Sequence, residues 1–224
     1  MFPLLTIEGS SQNLSVAIFR SASDFSFIQS GPDGLSHSEK ILVLIDQLLK
    51  KENLAISEIK AIGIPRGPGS FTSVRIGLST VLGFSVGLGI PLYTCSSLAV
   101  MALKAGDGFW APFLKAGRGQ IYCAGFKVDT QIASSTAVSI ITIFEETVLM
   151  PDEFLSLAKK NNPHLIPCGP EPSMIPEGGV CEVIPDAVTV GRLVMAKPVR
   201  LDVSQLEVNY LKAPDLGGKS PATF

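Results

Sequence analysis

The stretch Ala61-Ile62-Gly63-Ile64-Pro65-Arg66-Gly67-Pro68-Gly69-Ser70-Phe71-Thr72-Ser73-Val74-Arg75 reads as a short strand, a glycine-rich loop and the opening of a helix. Ala61 to Ile64 is a brief apolar run of strand length, and Gly67-Pro68-Gly69 ends it with the two strongest local breakers of regular structure. Ser70 then stands where an N-cap belongs, and Phe71 to about Leu88 has the length of a helix. Strand, glycine turn and helix in that order is the building unit of α/β sheets. Glycines let a backbone approach a phosphate closely, and the helix N-terminus beyond them favours an anion. The loop is not a Walker A loop, because Ser70-Phe71 follows the glycine where Lys-Ser/Thr is required. Two readings stay open at this point: an anion-binding loop at Gly67, Gly69 and Ser70, or a turn that needs glycine, capped by Ser70.

Upstream of that unit, Leu4 to Glu8, Leu14 to Arg20 and Phe25 to Ser30 read as three strands, the first two joined by the turn residues Gly9-Ser10-Ser11-Gln12-Asn13 into a hairpin. Ser36-His37-Ser38-Glu39 has the S-x-x-E form of a capping box and predicts a helix from His37 to about Lys51. Ile41, Leu44, Ile45, Leu48 and Leu49 form its apolar stripe, with Leu42 and Val43 apolar outside it, which is wider than a one-sided helix needs. Downstream, Ile90 to Cys95 reads as a strand and Ser97 to Lys104 as a short helix. A second pattern follows: strands at Trp110 to Leu114, Ile121 to Val128 and Ala137 to Phe144, a helix from Pro151 to Lys160, strands at Leu165 to Cys168 and Cys181 to Ile184, and a helix near Thr189 to Ala196. Both halves thus run through three strands, a helix, a strand and a helix. The expected fold is α/β, with duplicated actin-like (ribonuclease-H-like) lobes at residues 1–105 and 106–224 and a degenerate second lobe, whose loops carry most of the prolines.

The 224 residues are 46% hydrophobic and 17% charged, with 18 Lys+Arg against 20 Asp+Glu and a net charge of −2. A globular chain averages about a quarter charged residues, so this one has an excess of apolar surface to bury, in its core or against a partner. Disordered and polycationic nucleic-acid-binding classes are excluded. Cysteines 95, 123, 168 and 181 have no C-x-x-C spacing, and the histidines are only His37 and His164, which excludes zinc ribbons and fingers. Reduced, buried cysteines and a cytoplasmic location are expected, the N-terminus lacking the basic region of a signal peptide. Ile76 to Leu92 is uncharged and contains Gly83-x-x-x-Gly87, but it is slightly short for a span and interrupted by glycine, serine and Pro91, so it reads as a buried helix running into a strand.

Small residues Ser73, Gly77, Thr80, Gly83 and Gly87 recur at spacings of three and four along the helix after the glycine loop. Glycine inside a helix costs about 1 kcal/mol relative to alanine, so three of them ask for a packing reason. Close approach of another helix satisfies that requirement, either between subunits or within the chain. Glu8, in the first hairpin, is either an oxygen ligand for Mg2+ or a polar strand end. For each histidine a surface or capping role is expected. Six cations between Arg66 and Lys127 face only Asp107 in sequence, which suits either an anionic ligand or an ordinary solvated surface.

Arg66-Gly67-Pro68-Gly69-Ser70-Phe71-Thr72-Ser73-Val74-Arg75-Ile76-Gly77-Leu78-Ser79-Thr80, with Gly89-Ile90-Pro91-Leu92 and Ser96-Ser97-Leu98, resembles the signature of the TsaB (YeaZ) family. The likeness extends to His37-Ser38-Glu39-Lys40-Ile41-Leu42 and Leu44 to Leu49, and through Arg118-Gly119-Gln120-Ile121-Tyr122 to Tyr210-Leu211-Lys212-Ala213-Pro214. It is specific in the first half and rests on the order of elements in the second. The resemblance implies an actin-like fold and a non-catalytic subunit of threonylcarbamoyladenosine formation in tRNA. Such a subunit pairs with the transferase TsaD, is joined by the ATPase TsaE, touches tRNA indirectly and forms a homodimer when alone, with no membrane involved. The pairing helices supply the expected interface: His37, Glu39, Ile41, Leu42, Ile45, Leu49, Ser73, Val74, Gly77, Thr80, Val81 and Phe84.

TsaD binds its metal through N-H-L-E-G-H, which aligns here with Ser96-Ser97-Leu98-Ala99-Val100-Met101. Ser97 and Met101 at the histidine positions cannot replace imidazole as a ligand for the usual catalytic metal, which argues against transfer chemistry and against a metalloprotease activity. The family's usual I-D-T-S is Ile7-Glu8-Gly9-Ser10 here, and its L-D-A-R-R-G-E-V-Y is Leu114-Lys115-Ala116-Gly117-Arg118-Gly119-Gln120-Ile121-Tyr122. Ser73 stands where glycine is usual. No cofactor of the chain's own is expected. A residual nucleotide site would use Glu8, Ser10, Gly67, Gly69, Ser70, Lys115 and Arg118, with weak ATP, ADP or Mg2+ binding confined to the interface of the complex. The rival reading is an ATP-dependent phosphotransferase of actin-like fold, using Glu8 for metal and the Gly67–Ser70 loop for phosphate.

Overall fold

The computed structural model describes residues 1–30, 36–130, 138–175 and 179–201. Its first sheet holds β1 (Leu4–Glu8), β2 (Ser15–Phe19), β3 (Phe25–Gln29), β4 (Ala61–Pro65), β5 (Leu92–Cys95) and β11 (Val199–Leu201), in the order β11-β5-β4-β1-β2-β3. The second holds β6 (Gly108–Gly117), β7 (Gln120–Asp129), β8 (Ser139–Leu149), β9 (Ile166–Gly169) and β10 (Cys181–Glu182), in the order β10-β9-β6-β7-β8. The expected duplication is therefore real at the level of topology. In each lobe an antiparallel hairpin (β1–β2, β6–β7) is extended on one side by a third antiparallel strand and on the other by two parallel strands.

Among the described residues, five helices cover these sheets: α1 (His37–Glu52), α2 (Phe71–Leu88), α3 (Ser97–Ala105), α4 (Pro151–Asn161) and α5 (Ala187–Ala196). The capping box is present at α1, where the Ser36 N–H donates to the Glu39 carboxylate at 2.8 Å. Asn53 closes that helix in the left-handed region, φ 51°, which asparagine tolerates better than most residues. At α2 the Ser70 hydroxyl accepts from the Ser73 N–H, as an N-cap should, and Gly89 ends the helix at φ 65°, where a Cβ would be strained. Strands β1, β2 and β4 are buried along their whole length, which is why they read as continuous apolar runs.

The layers run from α1 and α2, through the first sheet, to α5 and α3, then the second sheet, then α4. Ile41, Leu44, Ile45, Leu48 and Leu49 of α1 meet Val74, Leu78 and Val81 of α2 on the outer face of the first sheet. Phe154 and Ala158 of α4 close the outer face of the second. Between the sheets, each lobe's last helix crosses to the other: α3 packs on β6, β7 and β9, and α5 packs on β1, β2, β4 and β5. The polar stitching crosses too, since Thr6 Oγ1 donates to the Ala187 carbonyl at 2.7 Å and the Ala187 N–H donates to Ser15 Oγ at 3.0 Å. Strand β11, which the sequence does not announce, pairs with β5, so residues well past 106 complete the first sheet.

The second lobe is reduced where its counterpart of α2 would stand. Between β9 and β10 the described chain makes only a single 3-10 turn, Pro172–Met174. Strand β8 runs to Leu149, five residues beyond its expected end at Phe144, while Ala137 lies outside the described residues. Helix α2 is long and apolar enough to cross a membrane by length and composition. Here it packs on β4 and α1, burying Val74, Gly77, Leu78, Val81 and Ser85.

Candidate functional site

The Gly67–Ser70 loop is tied down on both sides by backbone hydrogen bonds. The Arg66 N–H donates to the Cys95 carbonyl at 3.0 Å, the Ser97 N–H to the Gly67 carbonyl at 2.9 Å, and the Ser70 N–H to the Ser10 carbonyl at 3.0 Å. A Cβ on Gly69 would lie 2.6 Å from that Ser10 carbonyl oxygen, so only glycine permits the contact. The loop thus closes on the first hairpin, and the Ser70 N–H already has its acceptor. Of the two open readings, a turn that needs glycine, capped by Ser70, accounts for every one of these contacts.

Glu8 lies under the same hairpin, fully buried. Its Oε1 accepts from the Ser10 N–H at 2.8 Å and from the Ser10 hydroxyl at 2.6 Å, while Oε2 has no hydrogen-bond partner. Burial pushes its pKa up to about 7, against the pull of the two Ser10 hydrogen bonds and helped by the negative charge of Asp186. Asp186 goes the other way. Burial raises it, but Lys104 and the Thr189 N–H and hydroxyl outweigh that and hold its pKa low, so it serves as a charged N-cap of α5.

A cleft of about 550 Å3 opens between the lobes, bordered by Ser10, Gly69, Ser70, His37, Ser73 and Lys115 among others. Of the expected nucleotide set, Ser10, Gly69, Ser70 and Lys115 come together there. Glu8 is withdrawn beneath them, Gly67 is buried in the loop, and Arg118 stands at the tip of the β6–β7 hairpin with φ 54°. Ser97 and Met101 are both completely buried, the Ser97 hydroxyl has no hydrogen-bond partner, and no imidazole stands near it in sequence. Among the described residues no group of three His, Cys, Asp or Glu side chains is placed to hold a metal.

The expected interface set divides by orientation. Ile41, Ile45, Leu49, Val74, Gly77 and Val81 are buried in the chain's own core, so they shape the two helices and cannot themselves form a docking surface. His37 and Ser73 form an internal clamp: His37 Nδ1 lies 2.8 Å from Ser73 Oγ, which lies 2.9 Å from Ser70 Oγ. The surface or capping role expected of His37 is corrected accordingly, for the ring is half-buried and burial lowers its pKa, against the pull of the Asn13 carbonyl. His164 stays exposed, as expected. Thr80 is half-buried and bonds back to the Ile76 carbonyl at 2.8 Å, Phe84 is partly buried, and Glu39 is exposed at the start of α1.

Three apolar side chains of these helices also point outward. Leu42 and Val43 are 55% and 53% exposed on α1, and Val86 is 68% exposed on α2. Gly83 and Gly87 share a face with Val86 at helical spacing, and a Cβ on either glycine would meet nothing within 4 Å. Gly77 differs, since its Cβ would lie 2.9 Å from Ile64 Cδ1. The glycine stripe is therefore two features: a close internal approach at Gly77, and an open face at Gly83 and Gly87. Val86 was not singled out from the sequence, although its place in the uncharged run after Ile76 was a signal. Reduced, buried cysteines were expected. All four are free thiols, but Cys181 is exposed.

Comparison with known proteins decides the family. The family model described as TsaD, tRNA N6-adenosine threonylcarbamoyltransferase, matches residues 34–173, more than half of the chain. The tRNA threonylcarbamoyladenosine biosynthesis protein TsaB of Escherichia coli is 28% identical over 130 residues, 56% of this chain and 55% of that protein. The chain belongs to the TsaD family, in its TsaB (YeaZ) branch. TsaB of Haemophilus influenzae is 37% identical over 70 residues, 31% of this chain and 30% of that protein. The matches to these curated relatives thus span about half of their length or less. In fold the likeness is more extensive. The crystal structure of an uncharacterized Pseudomonas aeruginosa protein with similarity to peptidase YEAZ superposes with a TM-score of 0.77 at 22% identity, covering 95% of this chain and all of that one. The TsaB-branch fold of duplicated lobes is therefore the fold observed here.

Proposed function

We propose that the chain is a non-catalytic TsaB-type subunit that supports formation of threonylcarbamoyladenosine in tRNA, by docking the outward faces of α1 and α2 on a TsaD-type transferase. A TsaE-type ATPase joins through the complex, tRNA is served indirectly, and the same face makes a homodimer when the chain is alone. The reading places the work in the cytoplasm and gives the chain no cofactor of its own. The names of its relatives support the pathway. Ser97 and Met101, apolar or hydroxyl-bearing and sealed in the core, support a role without transfer chemistry.

The observation that carries the docking role is the open stretch of α2. Each glycine costs a helix about 1 kcal/mol against alanine, and nothing among the described residues requires Gly83 or Gly87. Close approach by a partner backbone does, and Val86 beside them supplies the apolar anchor. The test is co-purification with the TsaD-type partner of the same cell, using Gly83→Leu and Val86→Asp. Both variants should fold with unchanged melting temperature or better, and both should weaken the complex by tenfold or more, on the scale of a central interface residue. Wild-type complex formation by both would overturn the assignment of this face. Gly77→Leu is unsuitable for this purpose, because it strikes Ile64. Modified nucleoside in the tRNA of a strain lacking its own TsaB, restored by this chain, tests the pathway itself.

A further inference from the structure

Strands β9 and β10 run parallel at the edge of the second sheet, and their register sets Cys181 directly opposite Cys168. Side chains at paired positions of neighbouring strands leave the same face of a sheet. Val183, two residues beyond Cys181, is buried in the same cluster as Cys168 and the residues of α3, which identifies the shared face. Neighbouring strands lie about 4.8 Å apart, inside the range of Cα separations, about 4.4–6.8 Å, that a disulfide bridges. Strand β10 is only two residues long, with both residues exposed, so the small shift a bond requires meets little resistance.

We propose that Cys168 and Cys181 are a reversible oxidative modification site, which closes to an intrachain disulfide by exchange with a low-molecular-weight disulfide. Cys181 is the point of entry, because it is the exposed cysteine while Cys123 and Cys168 are buried and Cys95 is largely covered. Its thiolate attacks one sulfur of the small disulfide, forming a mixed disulfide and releasing one small thiolate. Cys168 then gives up its proton and its sulfur attacks Cys181 Sγ, forming the Cys168–Cys181 bond and expelling the second small thiolate. The two protein thiols lose two electrons, the small disulfide gains them, and the released thiolates take up the two protons. Burial, with the neighbouring Cys181, pushes the Cys168 thiol up, so the second step is the slow one. Closure staples the edge strand that leads, through Val183 to Pro185, into the Asp186 cap of α5.

Both cysteines fall in one tryptic peptide, Asn161 to Arg192, which contains neither Cys95 nor Cys123. The native full chain is incubated with oxidised glutathione, quenched in acid, unfolded, alkylated and digested without reduction. The expected result is a peptide two hydrogens lighter and unalkylated, with Cys95 and Cys123 fully alkylated, and recovery of both thiols after dithiothreitol. Cys181→Ser, a change at an exposed position, should leave Cys168 fully alkylatable, and Cys168→Ala should stop at glutathione on Cys181. The proposal is overturned if the native chain also stops with glutathione on Cys181 and a free Cys168, if Cys181 pairs with Cys181 of a second chain, or if the peptide is unchanged.

Discussion

The two lobes share the order of five strands and differ, among the described residues, in one helix. In the first, α2 lies between β4 and β5 and presses on α1; in the second, the corresponding connection between β9 and β10 shows a 3-10 turn among its described residues. The sheets themselves are kept intact in both, because α3 and α5 cross over and cover each other's inner faces. The difference shows which part of a duplicated scaffold is free to change. The crossed central layer packs the halves together, and the outer layer is where they differ. On helix α2, a Cβ at Gly83 or Gly87 would meet no described side chain and Val86 is exposed, whereas among the described residues the second lobe's outer face is covered by α4.

The largest expected effect breaks the central layer. Phe19 is fully buried on β2, and a Cβ on Gly191 of α5 would clash with its ring, so the two lobes meet at that contact. Phe19→Ala should cost about 3–5 kcal/mol, the usual range for a buried aromatic. Trp110, the chain's one tryptophan, lies on β6 in the other lobe and reports the consequence there. Its fluorescence and the far-ultraviolet dichroism should shift to lower urea together, in a single transition. Two separated transitions, with Trp110 unaffected, would show that the lobes fold independently and that the crossed helices do not couple them.

Next in size is the acid beneath the first hairpin. Unfolded, Glu8 ionises near 4.5; folded, near 7. Below pH 4.5 both states are protonated and no penalty exists. Between those values the unfolded chain releases its proton first, so the folded state loses stability as pH rises, by about 3 kcal/mol once pH exceeds 7. Glu8→Gln removes that slope. The variant should gain on the wild type by about that amount between pH 4 and pH 8, as read from denaturant midpoints at each pH. Parallel pH profiles for the two proteins would mean that Glu8 is ionised in the folded chain. In the second lobe, Lys115 beside the equivalent hairpin is exposed at the cleft.

Much of this architecture is legible in the chain, for reasons that are local. Ser36 and Glu39 announce α1, Ser70 announces α2, and the β1, β2 and β4 runs are apolar because both of their faces are covered. What escapes is decided by tertiary contact. Strand β8 continues through Glu145-Glu146, which interrupt its apolar pattern. It does so at a sheet edge beside two register shifts, where Gly125 makes room for the Phe144 ring. Strand β11 has three residues and no turn signal, and exists because β5 offers it an edge. The expected interface was read as two helices, without separating their outward from their inward faces. Helix α2 is apolar on most sides, so no period in its sequence separates Val74 and Val81, which face the sheet, from Val86, which does not. Of the cleft, the loop's glycines were visible, yet their reason was not: Gly69 is there for the Ser10 carbonyl.

The smallest expected effect tests the clamp between the starts of α1 and α2. Ser73 lies between His37 and Ser70, joining the starts of α1 and α2 through two side-chain contacts of 2.8 and 2.9 Å. One intramolecular hydrogen bond contributes about 1 kcal/mol net, and a half-buried His37 left without its hydroxyl partner adds part of a desolvation cost. Ser73→Ala should therefore lower stability by about 1–2 kcal/mol, and Ser73→Gly by about 1 kcal/mol more, since glycine also weakens the first turn of α2. Thermal melts of the three proteins at pH 8, where His37 is neutral, measure both steps. Equal melting temperatures for wild type and Ser73→Ala would mean that α1 and α2 are held by their apolar contacts alone. A drop of the expected size, with hydrogen exchange accelerated in the first turns of both helices and unchanged in α4, would place the clamp in the outer layer of the first lobe.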